Sequence, residues 1–109
     1  MKPRKYRNRL TVVDGIRFDS KAEARRWAEL KLLEKTGKIA VIRRQVSFRL
    51  IVKGIKISKY VADFVYWDHY KDRDIVEDVT SAATAKLPLF KLKAKLMKAC
   101  HGIDITVVQ

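Results

Sequence analysis

Cysteine and long apolar runs are the scarcest features of this chain of 109 residues. Cys100 is the single cysteine, which excludes a disulfide framework and a zinc site built from several thiolates. No apolar run approaches the roughly 18 residues that a membrane-spanning helix needs. The basic start of the sequence is followed by no apolar segment, so we expect no secretory signal and a cytoplasmic location.

Several catalytic patterns are also missing. The sequence contains no Gly-rich phosphate-binding loop, no Cys/His spacing typical of zinc and no Ser/His/Asp arrangement. We interpret His69 and His101 as surface or capping residues. No internal repeat or linker divides the chain, and its length fits one domain. We therefore predict a basic N-terminal arm at residues 1–10 and a single domain at residues 11–109.

Acidic residues are few relative to basic ones. The chain has 12 Asp and Glu against 25 Lys and Arg, a formal net charge of +13. Such an excess in a small domain favours a polyanionic partner. The basic residues are spread along the chain, which favours the phosphates of a nucleic acid over a membrane surface. An apolar content of 48% excludes a disordered chain.

Local signals predict the element order hairpin, helix, three strands, helix, strand, an α/β (α+β) fold. Asp14-Gly15 between two β-prone runs predicts a tight hairpin. Ser20 and Glu23 have the spacing of a capping box, and Gly37 follows the end of that helix. Polar turns then separate three β-prone runs, the first two joined by a Lys-Gly pair.

A second helix is expected from Pro88, which suits a first helical turn, to about His101 before Gly102. A final β-prone run, "IDITVV", closes the chain. Helical spacing predicts one apolar stripe on the second helix. Its members are Leu89, Leu92, Leu96 and Ala99.

Three acids do not fit a solvated surface. Asp63 interrupts the apolar run "YVADFVYW", where alternation places it on the face of Val61 and Val65. Asp78 lies in the next apolar strand, and Glu23 lies on the core-facing stripe of the first helix. Carboxylates on neighbouring strands can converge on a hard cation such as Mg²⁺. A metal-bound carboxylate site in a basic protein can activate water against a phosphodiester.

Simpler readings of these acids remain open. Glu23 is fully explained as a member of the capping box. Asp63 could pair with a buried Arg or Lys. Glu77 and Asp78 could form an exposed edge pair. Alternation assigns Glu77 to the face opposite Asp78, where we expect a salt-bridge or surface residue.

The acids, their order and the strand pattern resemble the PD-(D/E)xK nuclease superfamily. More closely, "KYRNRLTVVDGIRFDSKAEARRWAEL", "YVADF" and "IVEDV" resemble a family of small phage-encoded proteins. That family is similar to phage endonuclease I and Holliday-junction resolvases. The resemblance covers nearly the whole chain. It implies a restriction-endonuclease-like core, with a mixed central sheet flanked by two helices.

The resemblance also implies roles for individual residues. Glu23, Asp63 and Asp78 would be the catalytic acids and the ligands of Mg²⁺ or Mn²⁺. Gln45 matches a recurrent glutamine at the start of the first core strand. Residues expected to contact DNA are Lys2, Arg4, Lys5, Arg7, Arg9, Arg25, Arg26 and Gln45. The partners implied are branched DNA, such as a four-way junction, and a second copy in a homodimer.

Thr80 departs from the family pattern, which has a lysine at this position. Threonine has no charge with which to polarise water or phosphate. Another lysine could take this role, and Lys86 is the best placed by sequence. Alternatively, the protein is a slow or inactive relative that still binds DNA, or the substitution disables cleavage.

The sequence therefore predicts a structure-selective, Mg²⁺-dependent endodeoxyribonuclease of phage or prophage origin, acting on Holliday junctions. A non-catalytic nucleic-acid-binding module is the alternative that Thr80 favours. Charge alone is also compatible with a structural protein that packages RNA or DNA.

Overall fold

The computed structural model describes residues 10–109, and its elements follow the predicted order. Two short strands, β1 (Thr11–Val13) and β2 (Ile16–Phe18), precede helix α1 (Lys21–Lys35). Three longer strands follow: β3 (Ile39–Val52), β4 (Ile55–Asp68) and β5 (Arg73–Val79). The chain ends with a short helix α2 (Ala82–Ala85), helix α3 (Pro88–His101) and strand β6 (Thr106–Val108). Only α2 was not predicted.

The longer strands form one mixed sheet in the order β3-β4-β5-β6. The β3–β4 and β4–β5 pairs are antiparallel, and β5–β6 is parallel. Strands β1 and β2 form a separate two-stranded sheet. The α+β fold class is therefore confirmed. Within residues 10–109, no helix combines the length and apolar character needed to cross a bilayer.

Both predicted hairpin turns are present. Asp14 and Gly15 have φ values of 54° and 76°, and Lys53 and Gly54 have 51° and 80°. Positive φ at both central residues is the requirement of a type I′ turn, whose twist matches that of paired strands. The second turn lets β3 and β4 pair over most of their length.

Helix α1 begins and packs as its sequence predicts. The Ser20 side chain accepts a hydrogen bond from the Glu23 backbone N–H at 3.1 Å, which satisfies one free donor of the first turn. Ala24, Trp27 and Leu30 are the buried residues of the helix. The Trp27 indole donates to Asp14 at 2.9 Å and ties the first hairpin to α1.

Two hydrophobic clusters form the core. The first cluster, around α1, consists of Phe18, Ala24, Trp27, Leu30, Ile39, Phe64, Tyr66 and Ile75. The second cluster, around α3, consists of Leu50, Tyr60, Ala62, Val65, Val76 and Met97. The two helices therefore cover different parts of the sheet.

Halfway along the β3–β4 hairpin, the regular alternation of side chains between the two faces of the sheet is interrupted. Ala62 belongs to the second cluster and Phe64 to the first, although regular alternation would put both on one face. The same change occurs in β3 between Ile42 and Val46, and Gln45 between them has φ 51°. Asp63 and Gln45 thus lie where this alternation is interrupted. The prediction that placed Asp63 on the face of Val61 and Val65 assumed regular alternation, which does not hold at this point.

Helix α3 has the predicted bounds but a different buried face. Leu89 and Leu92 are 63% and 53% exposed, whereas Met97 is fully buried. Leu96 and Cys100 pack against the second cluster. Ala99 is exposed as well, so the predicted stripe is wrong at Leu89, Leu92 and Ala99 and correct only at Leu96. The residues that pack against the second cluster, such as Met97 and Cys100, also have the spacing of one helical face. Periodicity alone therefore could not choose between the two faces of the helix.

Candidate functional site

Asp63 fills a gap where β4 and β5 separate. Pairing between these strands ends at Phe64 and Glu77, while β5 continues to Val79 beside β6. The Val79 backbone N–H donates to Asp63 Oδ2 at 2.7 Å. A side-chain carboxylate thus replaces the backbone acceptor that a continued strand would have supplied.

The second oxygen of Asp63 accepts a hydrogen bond from β3, and an acid from α1 lies near the same carboxylate. Gln45 Nε2, from the irregular point of β3, donates to Asp63 Oδ1 at 3.3 Å. The negative charge of Asp63 raises the pKa of Glu23, which lies in the first turn of α1. Residues distant in sequence therefore meet at one carboxylate.

Asp78 approaches from the face that carries the second cluster. Tyr60 donates its hydroxyl proton to Asp78 Oδ2 at 2.7 Å. The negative charge of Asp78 is one of the causes that raise the pKa of Asp63. Asp63 therefore interacts with a second acid on each side, Glu23 and Asp78.

All three carboxyl groups have raised pKa values. Burial is the main cause for each of them. For Glu23, burial and the negative charge of Asp63 raise the pKa to about 7. Like charges brought together at a partly desolvated place disfavour ionisation. A bound cation would relieve this repulsion.

The three acids are not assembled as ligands of a single ion. Among residues 10–109, no three His, Cys, Asp or Glu side chains are grouped closely enough to hold a metal. Glu23 lines a cavity of about 520 Å³ and Asp78 a different one of about 380 Å³. Mg²⁺ usually takes one or two carboxylates and keeps several waters, so a site for Mg²⁺ or Mn²⁺ with Asp63 and Asp78 as its protein ligands stays a prediction.

Thr80 lies just beyond the end of β5. Its backbone N–H donates to the Val108 carbonyl at 2.9 Å, and it lines the same cavity as Glu23, not the cavity of Asp78. Lys86, the predicted substitute for the motif lysine, caps the C-terminus of α2 and is exposed. No ion pair in the described part of the chain joins Lys86 to Glu23, Asp63 or Asp78, and its role stays a prediction.

Arg44 is a cationic neighbour that sequence reasoning missed. Its positive charge lowers the pKa of Glu23, against the larger effect of burial. Its guanidinium carbon lies 4.6 Å from the centre of the Phe18 ring. Its Nε is buried and has no hydrogen-bond partner within residues 10–109. The sequence gives no sign of the irregular backbone that places Arg44 over Phe18 and the neighbouring Gln45 against Asp63.

Arg26 and Glu77 connect α1 to β5 beside the site. Arg26 Nε and Nη2 donate to the two carboxylate oxygens of Glu77 at 2.9 and 2.6 Å. The Tyr66 hydroxyl also donates to Glu77, which is only 1% exposed. Glu77 is thus in a salt bridge, as expected, but it is not a surface residue. We call Arg26, Tyr66 and Glu77 the buried clamp.

The predicted DNA contacts have different positions. Arg25 is exposed, as is Gln45, whose amide contacts Asp63. Arg26 is bound within the fold by Glu77 and also pairs with Glu29. The contacts expected from the arm lie outside the described residues: Lys2, Arg4, Lys5, Arg7 and Arg9.

Replacing Glu23 should stabilise the metal-free protein at high pH. The fold raises the pKa of Glu23 from its ordinary value of 4.5 to about 7, so ionisation of this carboxyl group costs stability as the pH rises from 4.5 to 7. We expect Glu23→Gln to raise the free energy of unfolding by roughly 1–2 kcal/mol above pH 7, allowing for solvent screening at a partly exposed group. The gain should vanish below pH 4.5. Urea unfolding in EDTA measures both values.

Glu34→Gln, on the same helix, is the matched control for this experiment. Glu34 forms an exposed pair with Lys31 and is remote from the three acids. Its replacement should change stability by less than about 0.5 kcal/mol at either pH. An equal gain for both variants would mean that the proximity of Glu23 to Asp63 carries no energetic cost.

Comparison with known families gives one match. The family described as "Protein of unknown function (DUF1064)" matches residues 3–106. No curated protein and no solved structure matches the chain. The match covers almost the whole sequence and includes all three acids, but its description names no activity.

Proposed function

The chain belongs to DUF1064, and from its site we propose that it is a Mg²⁺-dependent endodeoxyribonuclease that acts on branched DNA. The observation that carries the proposal is the position of Asp63. Its carboxylate occupies the gap between two strands, with Glu23 on one side and Asp78 on the other. The surrounding chain has a net charge of +13.

Hydrogen bonds within the fold position Asp63 and Asp78, but no ion pair in the described part of the chain neutralises either carboxylate. A buried carboxylate is normally paired with a cation, as Glu77 is with Arg26. Asp63 instead accepts hydrogen bonds from an amide and a backbone N–H, and its charged neighbours include two further acids. A divalent cation and the phosphate of a nucleic acid are the partners that fit such a group within a basic protein.

Each side chain then has a distinct task. Asp63 and Asp78 would hold the metal, which when bound supplies Lewis-acid activation of water and phosphate. Gln45 and Tyr60 fix the orientation of these two carboxylates through their hydrogen bonds. Glu23 reaches Asp63 from the cavity that it shares with Thr80. The resemblance of the three sequence blocks to small phage nucleases supports the same assignment.

The proposals that the substrate is branched DNA and that the protein is a homodimer rest on that resemblance. A four-way junction has two-fold symmetry and needs two cuts, which a homodimer with two equivalent sites provides. The excess of Lys and Arg provides the general attraction to phosphates. Binding should therefore weaken strongly as salt concentration rises.

We propose that Arg44 supplies the positive charge that Thr80 cannot. Arg44 packs over the Phe18 ring, its buried Nε has no hydrogen-bond partner within residues 10–109, and its positive charge lowers the pKa of Glu23. Arg44→Met, which keeps the length of the side chain without its charge, should slow cleavage of a synthetic four-way junction about 100-fold in Mg²⁺. Arg44→Lys should retain most of the rate. Single-turnover kinetics measures the change, and EDTA should abolish cleavage in every variant.

Arg43→Met is the control for lost charge alone. Arg43 is the exposed neighbour and forms a loose pair with Asp74 at 3.8 Å. The Arg43→Met substitution should weaken DNA binding slightly and leave the cleavage rate at saturating protein unchanged. If Arg43→Met and Arg44→Met slow cleavage equally, Arg44 contributes only to the general basic surface.

A junction-binding protein without activity is the second candidate, and Thr80 is the observation that favours it. In that case the wild-type protein would bind junctions without cutting them, and Thr80→Lys would restore cutting. Equal binding to junctions and linear duplexes, unaffected by Asp63→Ala, Asp78→Ala or metal, would instead indicate a packaging protein.

A further inference from the structure

Helix α3 and strand β4 leave an apolar patch exposed next to Asp78. Leu87 and Leu89 are 53% and 63% exposed, and Val61 on β4 is 38% exposed. The two leucines lie at the N-terminal end of α3, where a packed helix would normally bury such residues. Apolar side chains grouped beside a candidate active site indicate a binding surface.

These side chains surround a cavity of about 380 Å³. Leu87, Leu89 and Phe90 form its helical wall, and Val61 lies on the strand side. Its volume falls in the usual range for small-molecule sites, roughly 300–1,000 Å³. The cavity therefore has room for a group of moderate size with an apolar body.

Polar groups lie at defined places around this cavity. Asp78 and Tyr60, which are hydrogen-bonded to each other, line it at the side of the candidate site. Lys59 and Lys93 also line it, one from β4 and one from α3. An occupant should thus combine a flat or apolar body with negative charge beside it.

We propose that this cavity receives an unstacked nucleobase of the DNA strand held at Asp63 and Asp78. The inference rests on the proposed function, which provides DNA as the ligand. A base has an apolar face for the leucines and Phe90, and the phosphates on either side of it suit Lys59 and Lys93. Because Asp78 belongs both to the candidate site and to this cavity, the base would belong to a nucleotide next to the phosphate that is cut.

A second copy of the chain fits the cavity less well. In a two-fold symmetric contact the same patch meets itself, so that Lys59 and Lys93 would approach their own equivalents. Like charges at an interface oppose association. A nucleotide brings the opposite charge.

This occupant narrows the class of substrate. A base must leave its stack to enter the cavity, which costs a few kcal/mol in an intact duplex and least where the strand is already unpaired. The protein should thus prefer strands that are single or that branch. Once DNA is taken as the ligand, this preference follows from the cavity.

The test compares two DNA strands of equal length and charge. One is an oligothymidylate, and the other carries a sugar without a base at every position. Fluorescence anisotropy in Ca²⁺ and in EDTA, at moderate salt, gives the affinity for each strand. We expect the wild-type protein to prefer the strand with bases by about tenfold. Leu89→Ser should reduce that preference to about twofold or less, leaving affinity for the base-free strand unchanged.

Leu32→Ser is the matched control, because Leu32 is also a helical leucine with 63% exposure but lies on α1. It should keep the full preference. An equal affinity of wild-type protein for both strands, or the same loss in both variants, overturns the proposal. So does a change from dimer to monomer in Leu89→Ser with the preference intact, since the patch would then join two copies.

The assay separates this proposal from the proposed nuclease function. It measures binding and needs no cleavage. If the protein never cuts DNA but shows a preference for bases that depends on Leu89, the base-binding proposal stands and the nuclease proposal fails. If the protein cuts DNA but its preference for bases does not depend on Leu89, the nuclease proposal stands and the base-binding proposal fails.

Discussion

Replacing either of the proposed metal ligands should abolish Mg²⁺-dependent cleavage of a four-way junction. Asp63→Asn and Asp78→Asn would each remove one of the two charged ligands of the proposed site. A metal ion contributes several kcal/mol to phosphodiester hydrolysis. We therefore expect the single-turnover rate to fall by at least about 1,000-fold in each variant. The amide oxygen introduced by Asp63→Asn can still accept from the Val79 N–H, so the fold should persist.

The same two substitutions should not weaken binding of the protein to the junction, although they abolish cleavage. Removal of a carboxylate reduces repulsion of the DNA phosphates, so both variants should bind the junction at least as tightly as wild-type protein in EDTA. Asp74→Asn is the control, since Asp74 is an exposed acid on the same strand as Asp78. It should leave cleavage intact. Undiminished cleavage by Asp63→Asn or Asp78→Asn would rule out the assigned site.

Breaking the buried clamp should cause the largest loss of stability. Glu77→Gln removes the buried charged partner of the Arg26 guanidinium and leaves it only the exposed Glu29, although Arg26 is itself only 20% exposed. Loss of one member of a buried pair costs roughly 3–5 kcal/mol. For a domain of this size such a loss lowers the melting temperature by roughly 10–20 °C. Thermal unfolding followed by circular dichroism measures it.

The neighbouring arginine gives the control for the clamp. Arg25→Met changes an exposed cation on the same helix and should alter stability by less than about 0.5 kcal/mol. Arg26→Met should destabilise nearly as much as Glu77→Gln. The double variant should lose much less than the sum of the two, because neither charge is then left alone. Additive losses would mean that the two groups act independently.

The element order was predictable because local signals agree with the tertiary structure. Asp14-Gly15 gives its hairpin, Ser20 caps α1, and Pro88 begins α3. Each signal acts through the backbone of a few adjacent residues, so no knowledge of distant contacts is needed.

The arrangement of side chains around the site was less predictable. Alternation along a strand cannot anticipate that Gln45 takes a positive φ and that the hairpin changes faces there. The effect of Arg44 on the pKa of Glu23 and the hydrogen bond from Tyr60 to Asp78 therefore have no signal in the sequence. Glu77 was placed on the correct side of β5, but its burial depends on Arg26, which is 51 positions away.

The buried face of α3 was mispredicted for a related reason. Two sets of positions have the spacing of an amphipathic helix, and only the contacts with β3 and β4 select the one containing Met97. Leu89 and Leu92 were assigned to the core because they are apolar. Their exposure became informative only after the helix was seen in place.

Because the core is divided into two clusters, the candidate site is complete only when both parts of the domain are folded. Glu23 is carried by the helix of the first cluster, whereas Tyr60 belongs to the second. Regions with separate cores can open as separate cooperative units, with different protection against hydrogen exchange. If either unit opens, one side of Asp63 loses its partners while the other half of the domain persists. Partly folded molecules would therefore keep their basic surface but lack a complete site. The proposed cleavage activity would appear only when both units have formed.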